Sequence, residues 1–242
     1  MEGLPERRTP RVGADGATAL RGRFGLSARR RIVVWRHGQT AWNFDGRFQG
    51  QSDIDLDATG LEQAARAAQV LAGLRPAAIV SSDLGRARAT AEALAKVTEL
   101  PVALDERLRE TYLGSWQGRT RAEVEELFPG EAAAWLAGGL ERRGGGEHMT
   151  EVADRAVAAV LDAVAPLPAR STLVAVTHGG AGRVLLAQLM GLPSEQWKVL
   201  GGLSNCCWSV LSERPGGDSG PRWVLVEHNA GTLPQPVLSD DR

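Results

Sequence analysis

An apolar run gives way to a charged pair in residues 34–43, Val-Trp-Arg-His-Gly-Gln-Thr-Ala-Trp-Asn. The β-branched and aromatic residues that end at Trp35 predict a short buried strand, and Gly38 marks the turn after it. Arg36 and His37 would then project from the end of a sheet. A guanidinium can bind a phosphate group through paired donors, and an imidazole can act as a nucleophile. The stretch therefore predicts a phosphate site at a sheet edge.

Strands and helices alternate along the rest of the chain. Predicted strands at 77–81, 102–104 and 172–176 are interleaved with predicted helices at 60–73, 85–97, 120–128, 151–164 and 181–190, and two strands follow at 206–211 and 223–227. Thr59 is the expected N-cap of the first helix, and Pro129 is expected to close the third. The alternation predicts an α/β fold: a three-layer α/β/α sandwich with a mostly parallel sheet and an antiparallel strand at one edge.

The 242 residues suffice for one domain, which we expect to span residues 31–233. Residues 1–30 are expected to form a flexible, arginine-rich tail, because charge and glycine cannot build a core, and residues 234–242 a second tail. Met1–Arg31 holds eight arginines against three acidic residues, a composition also typical of an organellar address or a nucleic-acid-binding arm.

Composition argues against several kinds of partner. With 43% hydrophobic residues, 24% charged residues and a net charge of −1, the chain predicts no nucleic-acid or membrane partner, and no apolar stretch is long enough to span a bilayer. The adjacent Cys206 and Cys207 would point to opposite faces of a strand, which argues against a disulfide or a shared metal. Reduced thiols are typical of a cytoplasmic protein. The sequence leaves the oligomeric state open, a homo-oligomer included.

Three more polar residues, Arg86, Glu110 and His178, each follow a predicted strand. In open α/β sheets, ligands bind beyond the carboxyl ends of the strands. We therefore expect these residues to meet Arg36 and His37 around one bound anion. Each has an ordinary explanation when taken singly, as a surface charge or a hydrogen-bonded core histidine. Their joint occurrence at strand ends favours a site.

The residues at these strand ends can neutralise a phosphate without a metal ion. Arg36 and Arg86 offer paired donors, Asn43 an amide, and Gly179 and Gly180 the backbone N–H groups that open a helix. The sequence has no cluster of acids and histidines at metal-ligand spacing. We therefore expect metal-independent chemistry with no cofactor.

His37 is the expected nucleophile, with its attacking nitrogen unprotonated and its other nitrogen donating a proton to a backbone carbonyl. Glu110 is the expected general acid, because an alcohol is a poor leaving group without a proton. General acid help of this kind is worth about 10²–10⁴-fold in rate. The same carboxylate would then deprotonate the water that hydrolyses phosphohistidine.

These residues resemble the histidine phosphatase superfamily, the group that includes cofactor-dependent phosphoglycerate mutases. The resemblance covers about Ile32–Leu211 and rests on an ordered set of blocks: Arg36-His37-Gly38-Gln39-Thr40 with Asn43, Phe48–Asp53, Ser81–Ala87 with Thr90-Ala91, Leu108-Arg109-Glu110 with Leu113-Gly114 and Trp116-Gln117-Gly118, and Thr177-His178-Gly179-Gly180. It implies that His37 is phosphorylated, that Arg36, Arg86 and His178 bind phosphate, that Glu110 donates the proton, and that Asn43 and Gln49 line the pocket.

Within that superfamily, the Gln-Gly-Gln, Arg-Glu-Thr and 201–205 Gly-Gly-Leu-Ser-Asn blocks are most similar to actinobacterial glucosyl-3-phosphoglycerate phosphatases. The family commonly has Gly-Glu-Ser where this chain has Gly146-Glu147-His148, which leaves the role of His148 open. Arg142 and Arg143, just before that block, could reach a substrate carboxylate or be solvated.

The leading hypothesis is a phosphomonoesterase acting on a small phosphorylated metabolite, such as glucosyl-3-phosphoglycerate or another sugar phosphate or phosphoglycerate. A phosphoglycerate mutase is the alternative, although mutases of the family usually carry a longer segment between the acid and the second histidine than the 67 residues of Thr111–Thr177. A catalytically silent phospholigand-binding protein is a third hypothesis. Such proteins generally lack the nucleophile or the acid, and this chain has both.

Overall fold

A computed structural model describes residues 29–214 and 222–232 of the chain. Within them, strands β1–β6 occupy Arg31–Arg36, Ala78–Ser81, Val102–Leu104, Thr172–Thr177, Trp208–Glu213 and Trp223–Ala230. Helices α1–α7 occupy Ala41–Phe44, Ala58–Ala72, Gly85–Thr98, Arg121–Leu127, Pro129–Ala137, Met149–Val164 and Gly179–Leu189. Short 3₁₀ segments lie at Glu106–Leu108, Gly114–Trp116 and Ser194–Val199. The expected C-terminal tail, and all but two residues of the expected N-terminal tail, lie outside the described residues.

The six strands of the described chain form one sheet in the order β3-β2-β4-β1-β5-β6. Neighbours from β3 to β1 pair in parallel, whereas β5 pairs antiparallel with both β1 and β6. The predicted α/β class and mostly parallel sheet are confirmed. The expected antiparallel edge is confirmed as well, because the last two strands, β5 and β6, pair antiparallel and β6 is the edge strand.

Alternation along β1 produces the three layers. Ile32 and Val34 pack into a core with helices α6 and α7, and Val33 and Trp35 pack into a second core with α2 and α3. All four side chains are fully buried. Neighbouring residues of a strand face opposite sides of its sheet, so a continuous apolar run needs a helical layer on each side.

Some predicted element boundaries are wrong. The first long helix is capped by Asp57, whose side chain accepts the N–H of Gly60, and not by Thr59. The helix expected to end before Pro129 does so, since α4 ends at Leu127. Pro129 also opens a helix that was not expected, α5, at the first helical position where proline's missing N–H costs nothing. Strand β5 begins only at Trp208, because Cys206 has a left-handed φ of 54°.

The register brings the ends of several strands to one edge. Arg36 at the end of β1 pairs with Thr177 at the end of β4, and Ser81 at the end of β2 pairs with Val176. Because β5 runs the other way, its first residue, Trp208, lies at this same edge. A small third cluster contributes Phe48, Leu113 and Trp135 to the wall above the edge. None of the helices in the described ranges is long and apolar enough to cross a bilayer.

Candidate active site

His37 lies directly after β1 and is 2% exposed. Its Nδ1 is 2.7 Å from the carbonyl oxygen of Gly38. A carbonyl can only accept, so Nδ1 carries the proton and Nε2 presents a lone pair. Burial, and then the charges of Arg86 and Arg36, hold the pKa of His37 well below its usual range. The ring is therefore neutral at neutral pH, as a nucleophile requires.

His178, directly after β4, faces the first imidazole, and the two ring centroids are 5.1 Å apart. Burial and the charge of Arg86 hold the pKa of His178 well below its usual range as well. Nε2 of this ring lies 2.9 Å from the hydroxyl of Ser82. Its Nδ1 is buried and has no hydrogen-bond partner among the described residues. The expected meeting of the two histidines is therefore observed.

Arg36 and Arg86 are both fully buried beside these rings. Arg36 donates from Nη1 to the carbonyl of Leu203 at 2.7 Å. Arg86, in the first turn of α3, donates to the carbonyls of Gly50 and Ser52, each at 2.7 Å. Two buried positive charges next to one cavity favour an anion inside it.

The loop after Gln49 positions Arg86. Besides the two carbonyls, it supplies Asp53, whose carboxylate accepts the N–H of Gly85 at 2.7 Å and so caps the helix that carries Arg86. Gly50 has a left-handed φ of 53°, and a Cβ there would lie 2.3 Å from the amide oxygen of Gln117. This loop therefore has a structural role, because it fixes both the helix and the guanidinium.

Glu110 follows β3 and the 3₁₀ turn after it, and its carboxylate lies at the N-terminus of α7. It accepts the N–H of Gly180 at 2.9 Å and that of Ala181 at 2.8 Å. Its own neighbour Thr111 adds an N–H at 2.8 Å. The sequence led us to expect the N–H of Gly180 at the phosphate. In the structure that donor is directed to the carboxylate instead, since a negative charge is favoured at a helix N-terminus.

Arg155 of α6 holds the backbone that carries Glu110. Its guanidinium donates to the carbonyls of Arg107 and Arg109, each at 2.7 Å, and to that of Glu110 at 3.0 Å. Two further bonds, both 2.9 Å, join it to the carboxylate of Glu147. One side chain thus fixes the backbone on either side of the expected acid. Sequence reasoning missed it.

Asn43 lies in α1 and is 6% exposed. Its Oδ1 accepts the N–H and the hydroxyl of Thr40, both at 3.2 Å, and Nδ2 of Asn205 at 3.1 Å. Three donors at one end fix the orientation of the amide, with Nδ2 as its donor end. Asn205 also donates to the carbonyls of His37 and Gly38. It therefore couples the amide to the backbone that orients the ring of His37.

A cavity lies among these residues, and we call it the inner cavity. Its lining includes His37, Gln49, Arg86, Glu110 and Arg143, together with Phe48, Gly50, Thr111, Leu113, Trp135, Gly180 and Arg183. Arg36 and His178 are fully buried beside it. Gly179 lies against the guanidinium: a Cβ there would be 3.4 Å from Cζ of Arg36. Oε1 of Gln49 is buried without a hydrogen-bond partner among the described residues.

Two further lining residues were not predicted from the sequence. Arg183 lies four residues after Gly179, and that helical spacing places both on one face, which was a usable signal. The second of these residues is Trp135, on α5. It contacts Phe48 and Trp116 edge-on, and it also lines the cavity.

The residues at 142–148 differ in what they contact. Arg142 is half exposed and pairs with Glu151, whereas Arg143 lines the cavity. His148 is the N-cap of α6: Nδ1 of its ring accepts the N–H of Thr150 at 3.3 Å. The imidazole nitrogen thus accepts a backbone N–H of the first helical turn, as the side-chain oxygen of a serine does when serine is the N-cap.

No group of three or more histidine, cysteine, aspartate or glutamate side chains in residues 29–214 and 222–232 could hold a metal ion. The positive charge of the cavity comes from guanidinium groups. Cys206 and Cys207 are free and buried, and burial raises the pKa of both thiols.

Comparison with known proteins gives a consistent picture. The sequence model of the histidine phosphatase superfamily (branch 1) matches residues 32–229. A relative from Mycolicibacterium vanbaalenii, named glucosyl-3-phosphoglycerate phosphatase, is 45% identical over 213 residues, which are 83% of this chain and 95% of the relative. A relative from Yersinia pestis, named probable phosphoglycerate mutase GpmB, is 39% identical over 217 residues, 86% of this chain and 97% of the relative.

The same similarity is found among solved structures. A mycobacterial glucosyl-3-phosphoglycerate phosphatase in complex with VO3 superposes with a TM-score of 0.77 at 43% identity. The match covers 84% of this chain and 100% of that one.

Proposed function

The chain belongs to the histidine phosphatase superfamily, and on that premise we propose that it hydrolyses phosphomonoesters of small metabolites through a phosphohistidine at His37. The expected family and the expected enzyme class, a phosphatase, are both confirmed by the relatives. The observation that carries the mechanism is the fixed tautomer of His37, whose Nδ1 donates to Gly38 at 2.7 Å beside two buried guanidiniums.

In the first step, Nε2 of His37 attacks phosphorus, and the bond between phosphorus and the ester oxygen breaks. Arg36, Arg86 and neutral His178 would bind the phosphoryl oxygens, and Asn43 and Gln49 would add amide donors. The N–H of Gly179 remains a proposed contact. Phosphoryl transfer depends mainly on positioning and on compensation of charge, and these groups supply both.

Glu110 would give its proton to the departing alkoxide, which leaves as an alcohol. In the second step a water attacks phosphorus, its proton returns to the carboxylate, and the bond from phosphorus to Nε2 breaks. Inorganic phosphate and neutral His37 are released. The location of Glu110 on the wall of the inner cavity, within reach of the same ligand as His37, supports this pairing.

Hydrolysis is favoured over mutase activity. The more similar of the relatives described above is named as a phosphatase, and the 67 residues between acid and second histidine are few for a mutase of this family. For the substrate we propose glucosyl-3-phosphoglycerate or a close analogue, because relatives at 43–45% identity carry that name. The buried free thiols support the proposed cytoplasmic location.

The test is product analysis with 3-phosphoglycerate, glucosyl-3-phosphoglycerate and a panel of sugar phosphates, in the presence of EDTA. We expect inorganic phosphate as the product, and an acid-labile phosphoenzyme that the His37→Ala variant does not form. Conversion of 3-phosphoglycerate to 2-phosphoglycerate would identify a mutase. Strict dependence on added magnesium, or turnover by His37→Ala, would contradict the mechanism.

A further inference from the structure

One peptide group, the one that joins Leu203 to Ser204, is hydrogen-bonded at both ends. Its carbonyl oxygen accepts Nη1 of Arg36 at 2.7 Å, and its N–H donates to Oδ1 of Asn229 at 2.9 Å. The atoms of a peptide group lie in one plane, so the two contacts together fix how that plane is tilted. An acceptor at the N–H also polarises the carbonyl and strengthens the bond that the carbonyl accepts. Asn229 therefore acts on the same peptide group that holds Arg36.

Both ends of the Asn229 amide contact the same serine. Besides the contact of Oδ1, its Nδ2 donates to the hydroxyl of Ser204 at 3.2 Å. Ser204 is only 3% exposed, and a buried backbone N–H needs a hydrogen-bond partner. The second contact determines which end of the amide faces that N–H. The orientation of Asn229 is therefore as well defined as that of the peptide group it contacts.

A β-bulge in the last strand directs Asn229 toward this peptide group. In the pairing of β5 with β6, the single residue Ser209 lies opposite two residues, His228 and Asn229. The hydroxyl of Ser209 accepts the N–H of Asn229 at 3.1 Å. Asn229 has a left-handed φ of 51°, which asparagine tolerates better than most residues other than glycine. Bulges of this kind bend a strand and change the direction of a side chain, often beside an active site.

We propose that Asn229 is a positioning residue for phosphate binding, and that it acts on the guanidinium of Arg36 through the peptide group between Leu203 and Ser204. The inference rests on the proposed phosphatase function and gives the last strand of the sheet a role in it. Asn229 is exposed and is not among the residues that line the inner cavity. If the carbonyl were free to tilt, the paired donors of Arg36 would meet the phosphoryl oxygens at poorer angles.

The variant Asn229→Gly tests the proposal, because glycine removes the amide and still suits a left-handed φ. We expect the dissociation constant of inorganic phosphate, measured by calorimetry on the full chain, to rise about 5-fold, the usual worth of one hydrogen bond. kcat/KM should fall by the same factor for p-nitrophenyl phosphate and for glycerol 3-phosphate, since Arg36 would contact the phosphoryl group and not the leaving group. Ser204→Ala removes only the hydroxyl contact and should weaken phosphate binding by about 2- to 3-fold.

The control is Glu213→Gln, at the opposite end of the same pair of strands, which breaks the ion pairs of Glu213 with Arg30 and Arg222. It should lower the midpoint of thermal unfolding and leave the dissociation constant of phosphate unchanged.

Unchanged phosphate affinity in Asn229→Gly, even with a lower unfolding midpoint, would overturn the positioning role and leave the proposed function intact. A loss of kcat/KM on only one of the two esters would do the same. A wild type that neither binds phosphate nor releases it from any phosphomonoester would instead refute the proposed function, and the inference with it.

Discussion

Ser82 places its hydroxyl 2.9 Å from Nε2 of His178, on the side of the ring away from Nδ1. The same hydroxyl oxygen accepts the N–H of Leu84 at 3.4 Å. With that donor on its oxygen, the hydroxyl can give its own proton to Nε2. The proton of neutral His178 then resides on Nδ1, the buried nitrogen without a partner in the described chain. In the proposed mechanism, Ser82 is therefore a positioning residue that would make His178 a donor toward the phosphate.

Replacing Ser82 by alanine should lower kcat/KM by about 10-fold, because one buried hydrogen bond that fixes a tautomer is lost. Binding of inorganic phosphate as a competitive inhibitor should weaken by a similar factor. Nitrogen-15 NMR of His178 should show the proton on Nδ1 in the wild type and a mixture of tautomers in the variant. A loss of thermal stability with unchanged phosphate affinity would mean that Ser82 is merely structural.

Asn205 links His37, Gly38 and Asn43 through one amide, so Asn205→Asp should be more harmful than Asn205→Ala. The aspartate would set a negative charge against three oxygens that now accept hydrogen bonds. We expect about 10-fold loss of kcat/KM for alanine and at least about 100-fold for aspartate, from the cost of unpaired buried acceptors. Steady-state kinetics with p-nitrophenyl phosphate would measure this. Equal activity of both variants would contradict the role.

Glu110→Gln should lower the turnover of substrates with a poor leaving group far more than that of substrates with a good one. An alcohol needs the proton, so kcat for a sugar phosphate should fall about 10²–10⁴-fold. p-Nitrophenolate is a stable anion, and its release should slow far less. Glutamine is matched in shape and can still accept one of the N–H groups at the start of α7. An equal loss on both substrates would argue that Glu110 only holds the helix.

Arg155→Lys should reproduce this leaving-group dependence in weaker form. A lysine cannot reach three carbonyls and a carboxylate at once, so the backbone that carries Glu110 loosens. We expect kcat for poor leaving groups to fall about 10-fold with little change in KM, because about one charge-assisted hydrogen bond is lost. As the comparison, Arg107→Lys alters a half-exposed arginine that pairs with Asp105 and Asp162 away from the cavity, and it should leave both constants unchanged.

Stability should depend on pH through the two buried histidines. Burial holds the pKa of His37 and His178 well below the usual value, so the folded rings stay neutral when the unfolded chain binds protons below about pH 6.5. The unfolding free energy should therefore fall as pH falls, by about 2 kcal/mol between about pH 6.5 and 5.5 for the pair. Urea unfolding in a phosphate-free buffer measures it. A His178→Gln variant should show about half the slope, and a flat profile would contradict neutral burial.

The sequence was sufficient to predict the three layers, the mostly parallel sheet and the polar residues at the strand ends. Each of these follows from a local pattern: the alternation of apolar segments, or a polar residue placed directly after one. It could not locate the N–H of Gly180, which serves Glu110, because that pairing joins residues 70 positions apart. Arg155 and Asn205 were missed for the same reason. Both side chains donate hydrogen bonds to backbone carbonyls. Every residue has such a carbonyl, so the sequence does not indicate which ones are bound.

The α5 helix shows a different limit. Pro129 was expected only to close the preceding helix, and it also starts a new one because proline's φ is already fixed near the helical value. Trp135 therefore lies on a helix that the sequence did not predict. Because Trp135 lines the inner cavity, this part of the cavity wall could not be predicted from the sequence either.

The reversed direction of β5 determines which of the loops that flank it lies far from the active site. Its first residue, Trp208, lies beside Trp35 near His37, whereas its last, Glu213, lies at the far end of the sheet and pairs with Arg30. The connection from Arg214 to Arg222 therefore starts and ends on the side opposite to the chemistry. A fluorophore attached at Arg214 or Arg222 should therefore label the enzyme without slowing it, which makes this end of the sheet the natural attachment point for immobilisation.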